Sequence, residues 1–421
     1  MGLAIPLRPD AAAEYRRDAA ELHKALCSLD GGMTWYADRT TPYPLTLTHD
    51  DVAELGHLYR AIARGITRVV ERYLHDARLR EIITLPPALI TLLERTDGRP
   101  YRPGALRPDF LIDTDGAFRV CEVNARFPTN GFMCSYFTNE AVDGLGYLAG
   151  APARSMAGLH RTLDALCSRF RTGEPLVVLL DREAGTEIFL LMDELRRRGI
   201  DARCRRPAEL SVSGGMVIDA GQPVDQFVLE LERDELLDLP LELFDAVAAT
   251  PRSFNDARTV ILGHDKRILA VLSRPELVAD LLDPTDVDVL SRHLIPTFNA
   301  TEVREELLDH PEAWVLKRNS SGRGIDLLVG ASCPADTWRQ AALDQTDDRT
   351  AQSLVHQQTF ALPTLDAGDT IVDEPMHVVG LLPGFDGELL GPGLFRASAR
   401  SVINIAGGRG ALVPTMLALA S

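Results

Sequence analysis

The stretch RPDFLIDTDGAFRVCEVNAR, residues 107–126, reads as a β-hairpin. Asp115-Gly116 is the signal of a two-residue type I′ turn between two β-prone runs. With those residues as the loop, Thr114 pairs with Ala117, Asp109 faces Glu122 and Arg107 faces Asn124. Strand period 2 puts all four on one side. Directly opposed side chains stand about 5 Å apart at Cβ, where two like charges destabilise the pair. Such a pair demands a counter-ion. Asp109 and Glu122 supply hard anionic oxygens and Asn124 a neutral one, a set suited to Mg2+ completed by phosphate and water. Arg107 beside them can fork onto a phosphate oxygen. The competing expectation is a solvated hairpin face on which Arg107 merely neutralises Asp109, and a one-residue slip in register would dissolve the pairing.

Outside the hairpin the cations are informative. Of 44 cationic residues only three are lysine: Lys24, Lys266 and Lys317. Where arginine serves for ordinary surface charge, a retained lysine points to a need for a compact ammonium, or is a chance survivor. Lys317 ends the strand AWVLK and precedes Asn319-Ser320-Ser321-Gly322-Arg323-Gly324. Small residues between two strands can close backbone N–H groups over phosphates while the lysine supplies a point charge. Lys266 opens a helix in GHDKRILAVL, where the plain alternative is an exposed surface lysine. The Gly-x-x-x-x-Gly-Lys phosphate loop is absent.

The rest of the chain supplies the setting. Helical spacing covers Asp10–Leu29 and His49–Leu74, the latter capped by Thr48 or Asp50, with Pro42 and Pro44 breaking between them. Residues 125–150 read as a glycine-rich loop and Leu159–Phe170 as a helix. From Glu174 the texture changes: LVVLL (176–180) is a buried strand, Glu187–Arg198 a helix stopped by Gly199, and strands follow at Met216–Ile218 and Phe227–Leu231 with a helix near Leu241–Ala248. That alternation predicts a small open α/β sheet, Rossmann-like but without the glycine fingerprint of a dinucleotide site. After 256 come helices at Asp265–Leu272 and Thr301–Leu308, strands Trp314–Lys317 and Ile325–Val329, a polar helix within 331–350, and a second hairpin from His377–Leu382 and Leu389–Arg396.

Composition excludes several classes. The chain has 421 residues, net charge −17 and 45% hydrophobic residues, an ordinary globular balance that disfavours a general binder of nucleic acid or anionic membranes. No apolar run approaches the roughly 20 residues of a membrane span. Six scattered cysteines without a Cys-x-x-Cys, and an N-terminus lacking a signal-peptide core, predict reduced thiols in a cytoplasmic protein. The ten histidines form no metal-binding spacing, Glu230 and Glu232 have strand spacing without an evident partner, and there is no Gly-x-Ser-x-Gly elbow.

At this point the residues resemble a family: the circularly permuted ATP-grasp ligases, those like glutathionylspermidine synthetase. The likeness rests on R107-P-D109 with CEVNAR (121–126), on His264-Asp265-Lys266 through WVLK (314–317) and its NSSGRG loop, and on GPGLFRASARSVINIAGGRG (391–410). In ordinary ATP-grasp enzymes the Glu-x-Asn motif follows the two lysines; here it precedes them. The resemblance implies an α/β (α+β) fold: a permuted ATP-grasp with a helical N-terminal region and metal hairpin over 1–172, a Rossmann-like pre-ATP-grasp layer over 173–255, and the lysines, glycine-rich lid and remainder over 256–421. It further implies ATP and Mg2+ as cofactors. Asp109, Glu122 and Asn124 would hold two Mg2+ ions, and Arg107 and Arg396 the transferred phosphoryl group. Lys266 and Lys317 would contact the α- and β-phosphates and the adenine side. Ser321, Gly322 and Gly324 would lie in the lid, and Gln357 along the adenine, where Gln358 replaces the glutamate common in relatives.

The implied activity is ligation of a small-molecule carboxylate to an amine through an acyl-phosphate, releasing ADP and phosphate, in specialised biosynthesis, with acceptor contacts from the N-terminal helices and the Phe127–Asn139 loop. A bifunctional synthetase/amidase is not expected. The alternatives are a kinase on the same fold, a nucleotide-binding protein without turnover, and an adenylate-forming ligase that releases AMP. Nucleic acid and membrane are not expected partners, and oligomeric state is left open.

Overall fold

The computed structural model describes residues 9–29, 33–129, 131–146, 153–155, 158–182, 186–320, 326–344, 346, 348–366, 368–403 and 410–418. Ser321, Gly322 and Gly324 lie outside them.

Helices α1 (Ala12–Cys27) and α2 (His49–Arg72) open the chain. Thr48 caps α2: its hydroxyl accepts from the Asp51 N–H at 3.1 Å and the Asp51 carboxylate accepts from the Thr48 N–H at 2.8 Å. Leu55, Leu58, Tyr59, Ile62, Ile66 and Val69 recur at helical spacing on its buried face. No described helix is long and apolar enough to cross a membrane.

The hairpin follows as β1 (Ala105–Ile112) and β2 (Phe118–Asn124). Asp109 pairs with Glu122 and Arg107 with Asn124, but the route to that register differs from the expected one. Near the turn Ile112 pairs with Phe118, and the Asp113 N–H donates to the Ala117 carbonyl. The loop is thus one residue longer than a type I′ turn. Asp113 accounts for the difference: its carboxylate accepts from the Asp115 and Ala117 N–H groups, closing an Asx-type turn, and from Arg119. A bulge between Asp109 and Phe110 then leaves Cys121 without an opposite residue. The two one-residue shifts cancel at the carboxylates.

Residues 125–150 are not simply a loop. Helix α3 (Phe132–Leu145) starts at Gly131 (φ 85°). Its residues Phe132, Met133, Cys134, Ser135, Phe137, Thr138 and Asn139 are all buried, so it presents no polar stripe from which a period could be read.

Next comes a parallel sheet: β3 (Pro175–Leu180), helix α4 (Thr186–Arg197), β4 (Asp201–Arg205), β5 (Gln226–Glu230) and β6 (Arg252–Phe254), in the order β6-β5-β3-β4. The Met216–Ile218 strand does not join it. Met216–Asp219 instead pairs antiparallel with Leu210–Ser213 and Gln222–Val224 in a small separate meander, turned by Gly214 and Gly215 at positive φ.

Helix α5 (Arg267–Leu272) is fixed at its start by Asp265, which accepts from the Arg267 N–H and guanidinium and from Arg233. A four-stranded antiparallel sheet follows: β7 (Thr297–Asn299), β8 (Trp314–Arg318), β9 (Leu328–Val329) and β10 (Arg349–Ser353), ordered β7-β10-β8-β9. It has its own core around Leu307, Trp314, Leu316 and Trp338, separate from the main one. Trp338 belongs to a helix, Ala335–Leu343, inside the expected polar stretch.

The chain closes by completing the central sheet with β11 (Thr359–Leu365), β12 (Ile371–Leu381), β13 (Phe395–Ser398) and β14 (Ala411–Val413). β12 lies between β1 and β13, and β14 flanks β13. Thus β12 does pair with Phe395–Ser398, but residues 384–389 make a tight hairpin of their own beside β1 instead of extending the partner strand.

Candidate active site

The hairpin, the far strand β13, the start of α5 and strand β8 converge on one cluster. Asp109 is 1% exposed and receives donors from three residues. Arg107 Nε lies 2.9 Å from Oδ1, and Arg396 Nη2 and Asn124 Nδ2 lie 2.5 and 3.2 Å from Oδ2. Asn124 also donates to Glu122 Oε1 at 2.8 Å. Lys266, held at the entrance to α5 by its N–H bond to the Asn319 carbonyl, stands 4.0 Å from Glu122 Oε2. Lys317 donates to the Cys121 carbonyl at 2.9 Å and to Gln352 Oε1 at 2.7 Å. Seven sequence-designated residues, from Arg107 to Arg396, therefore meet although 289 positions separate the first from the last in the chain (396 − 107).

Electrostatics keep the cluster charged. Burial pushes the Glu122 carboxyl up, but Lys266, Lys317 and Arg396 outweigh it and hold it at about 2. Burial lowers the Lys266 ammonium, with Glu122 opposing. His264, buried beside Lys266 and Arg126, is driven well below its ordinary value, mainly by burial, and stays neutral. The four cations Arg107, Lys266, Lys317 and Arg396 gather around the two carboxylates Asp109 and Glu122. The surplus of positive charge favours a polyanion.

A buried carboxylate, a half-buried one and an amide oxygen fit a hard divalent cation once the competing arginines turn to phosphate, as Asn124 would turn Oδ1 inward. Among the described residues no group of three His, Cys, Asp or Glu side chains forms a metal site, so a cation there would take its remaining oxygens from ligand and water.

The cluster floors a cavity of about 780 Å3. One end is walled by Leu111, Ile295, Val315, Leu354 and Val355, a slot for a flat apolar ring. Gln357 lines it with Nε2 donating to the Ser401 carbonyl at 3.0 Å.

Four residues at the site escaped sequence reasoning. Gln352 lies opposite Val315 on β10 and orients Lys317. Glu232, which had no evident partner, forms an ion pair with Arg126, the last residue of the CEVNAR motif. Glu187, read only as a helix start, accepts from the Gly131 and Cys134 N–H groups at 2.8 and 3.0 Å and from the Tyr36 hydroxyl at 3.1 Å. It thereby ties α4 to the start of α3. Thr129 carried no signal beyond its place in the Phe127–Asn139 loop.

Known proteins are similar to this chain. A family model for the AnkG N-terminal domain matches residues 58–262. The ATP-grasp enzyme ankG of Aspergillus thermomutatus is 22% identical over an alignment covering 87% of this chain and 86% of that protein. A glutathione synthetase-like effector, GSS30, from Globodera pallida superposes with a TM-score of 0.61 at 13% identity, covering 97% of this chain and 98% of that one. A putative γ-glutamylcysteine synthetase from Methylobacillus flagellatus KT gives a TM-score of 0.42 at 10% identity. With this fold, and with a relative of that description matched along most of its length, the chain is similar to ATP-grasp enzymes.

Proposed function

We propose that the protein is an ATP- and Mg2+-dependent ligase that joins a carboxylate to an amine through an acyl-phosphate, releasing ADP and phosphate. The observation that carries it is the convergence of Arg107, Lys266, Lys317 and Arg396 on the Asp109–Glu122 pair at the floor of one cavity. Asp109, Glu122 and Asn124 would hold Mg2+, which when bound neutralises and aligns the phosphates. Lys266 and Lys317 bind the α- and β-phosphates, and the slot beside Gln357 takes the adenine. The site order along the chain, carboxylates before lysines, supports a circular permutation of the ATP-grasp domain, with 173–255 as the Rossmann-like layer preceding it.

Phosphoryl transfer needs charge neutralisation and alignment more than a protein nucleophile. A carboxylate oxygen attacks the γ-phosphorus and ADP leaves. Arg107 and Arg396 hold the transferred phosphoryl oxygens through that step and again as the amine attacks and phosphate departs. The Gly322–Gly324 loop, outside the described residues, would be the lid that excludes water from the acyl-phosphate.

The testing experiment resolves the nucleotide product with ATP, Mg2+ and pooled carboxylates and amines. ADP and phosphate that appear only when both substrate types are present support the ligase. ADP with a stable phosphorylated product would mean a kinase, and AMP would overturn the mechanism.

A further inference from the structure

The parallel sheet has a switch point. Strands β3 and β5 are neighbours, yet from β3 the chain goes on through α4 to β4 on one side, and from β5 it goes on to β6 on the other. Ligands bind open parallel sheets in the crevice beyond the carboxyl ends of two such strands. Here that crevice is the second end of the cavity. Glu230, the last residue of β5, and Glu187, in the first turn of α4, line it together with Tyr36, Arg126, Phe127 and Thr129.

Two polar groups at this end await a partner. Thr129 is fully buried, lines the cavity, and its hydroxyl has no hydrogen-bond partner among the described residues. Arg126 is buried, pairs through Nη1 with Glu232 and lies 4.6 Å over the Phe127 ring, but its Nε has no partner among the described residues. Buried polar groups are normally satisfied, so a cavity lined by these two is built for a ligand that supplies acceptors. The Glu230 carboxylate lies at the same end with the opposite charge. Gly131 joins this end to the phosphate site: its N–H donates to Glu187, and a Cβ there would stand 3.1 Å from Arg107 Cδ.

We propose that this crevice binds the α-amino acid head group of one substrate, its carboxylate on Arg126 and Thr129 and its ammonium on Glu230. Glu187, already engaged by Gly131, Cys134 and Tyr36, is a positioning residue that fixes the wall. The assignment rests on the ligase reading for the meaning of the adjoining phosphate site, and the test separates the two.

Each proteinogenic amino acid is added singly, at about 10 mM, to protein with Mg2+ and a non-hydrolysable ATP analogue. Melting temperature reports binding, and calorimetry then compares the best ligand with its decarboxylated amine and its N-acetyl derivative. Expected is binding of at least one amino acid, with both derivatives about tenfold weaker or more. Thr129→Val is expected to weaken that amino acid about five- to tenfold while leaving the melting temperature unchanged or higher and analogue binding unchanged. Glu230→Gln is expected to weaken the amino acid and the N-acetyl derivative unequally, removing the preference for a free ammonium. Binding by no amino acid, equal binding of either derivative to the wild type, or full amino-acid affinity in Thr129→Val overturns the assignment. Amino-acid binding without any analogue binding would overturn the ligase reading and leave this one standing.

Discussion

Lys317 donates from Nζ to the backbone carbonyl of Cys121 at 2.9 Å, bridging 196 residues of sequence. Cys121 is the extra residue of the β-bulge, so the bulge gives the lysine an acceptor outside the β1–β2 ladder. Gln352 Oε1, 2.7 Å away on β10, accepts a second hydrogen bond from it. The ammonium is thereby locked over the hairpin carboxylates before any nucleotide arrives.

That anchoring makes Lys317→Ala informative. ATP affinity is expected to fall about tenfold, roughly 1.4 kcal/mol. Lys317→Arg is not expected to restore it, because a planar fork cannot place one compact charge between the Cys121 and Gln352 oxygens. Calorimetric titration with ATP and Mg2+ measures both, and an unchanged affinity in Lys317→Ala would leave the lysine a structural strut.

The same bulge controls a thiol. Burial, helped by Asp109 and Glu122 and opposed by Lys317, pushes Cys121 up to about 11. Only the thiolate is alkylated, and at pH 8 it is about one part in a thousand. Iodoacetamide labelling of Cys121, read by mass spectrometry, is expected to be slow at pH 8 and to rise about tenfold per pH unit towards 11. In Lys317→Ala the rise is expected to shift to still higher pH. Rapid labelling at pH 7 would contradict the raised thiol of this half-buried residue.

How much of this was legible depends on how local each feature is. The hairpin and its facing carboxylates were readable because Asp109, Glu122, Arg107 and Asn124 lie within eighteen consecutive residues (124 − 107 + 1) and strand period fixes their side. Its turn was misread, since Asp113 closes the loop through side-chain bonds that the Asp-Gly signal conceals. The register survived only because the bulge at Cys121 offset the longer loop. Helix α3 was missed because burial on most sides erases amphipathic period. Gln352, Glu187 and the Arg126–Glu232 pair act through partners at least thirty-five positions away, and no local pattern announces them.

Behind the site, the central sheet tolerates no side chain at one position. A Cβ on Gly380 in β12 would stand 2.1 Å from the Phe110 ring. Phe110 is fully buried and set edge-on against Phe118 and Phe395 at 5.3 and 5.8 Å, so it has nowhere to go. Gly380→Ala is expected to cost about 3 kcal/mol. Adding Phe110→Leu, which vacates space, is expected to recover part of that loss. Melting temperatures of the two single variants and the double variant test the coupling, and strict additivity would exclude the steric explanation.

The pH dependence of the nucleotide-free protein follows from Glu122. Lysine and arginine neighbours outweigh burial and depress its carboxyl from 4.5 to about 2. A carboxyl depressed in the folded state contributes stability that is present above its unfolded value and lost as pH falls through the folded one. Glu122→Gln is therefore expected to lower stability by on the order of 2–3 kcal/mol at neutral pH. The gap to the wild type is expected to close between about pH 4.5 and pH 2, where the wild-type carboxyl also becomes neutral. The same substitution removes a hard oxygen from the proposed cation set, so Mg2+-dependent turnover is expected to fall at least about a hundredfold. Denaturation across pH and a turnover assay on one preparation separate the two effects. Retained turnover with the stability gap intact would make Glu122 a counter-ion for the lysines and would remove it from the metal site.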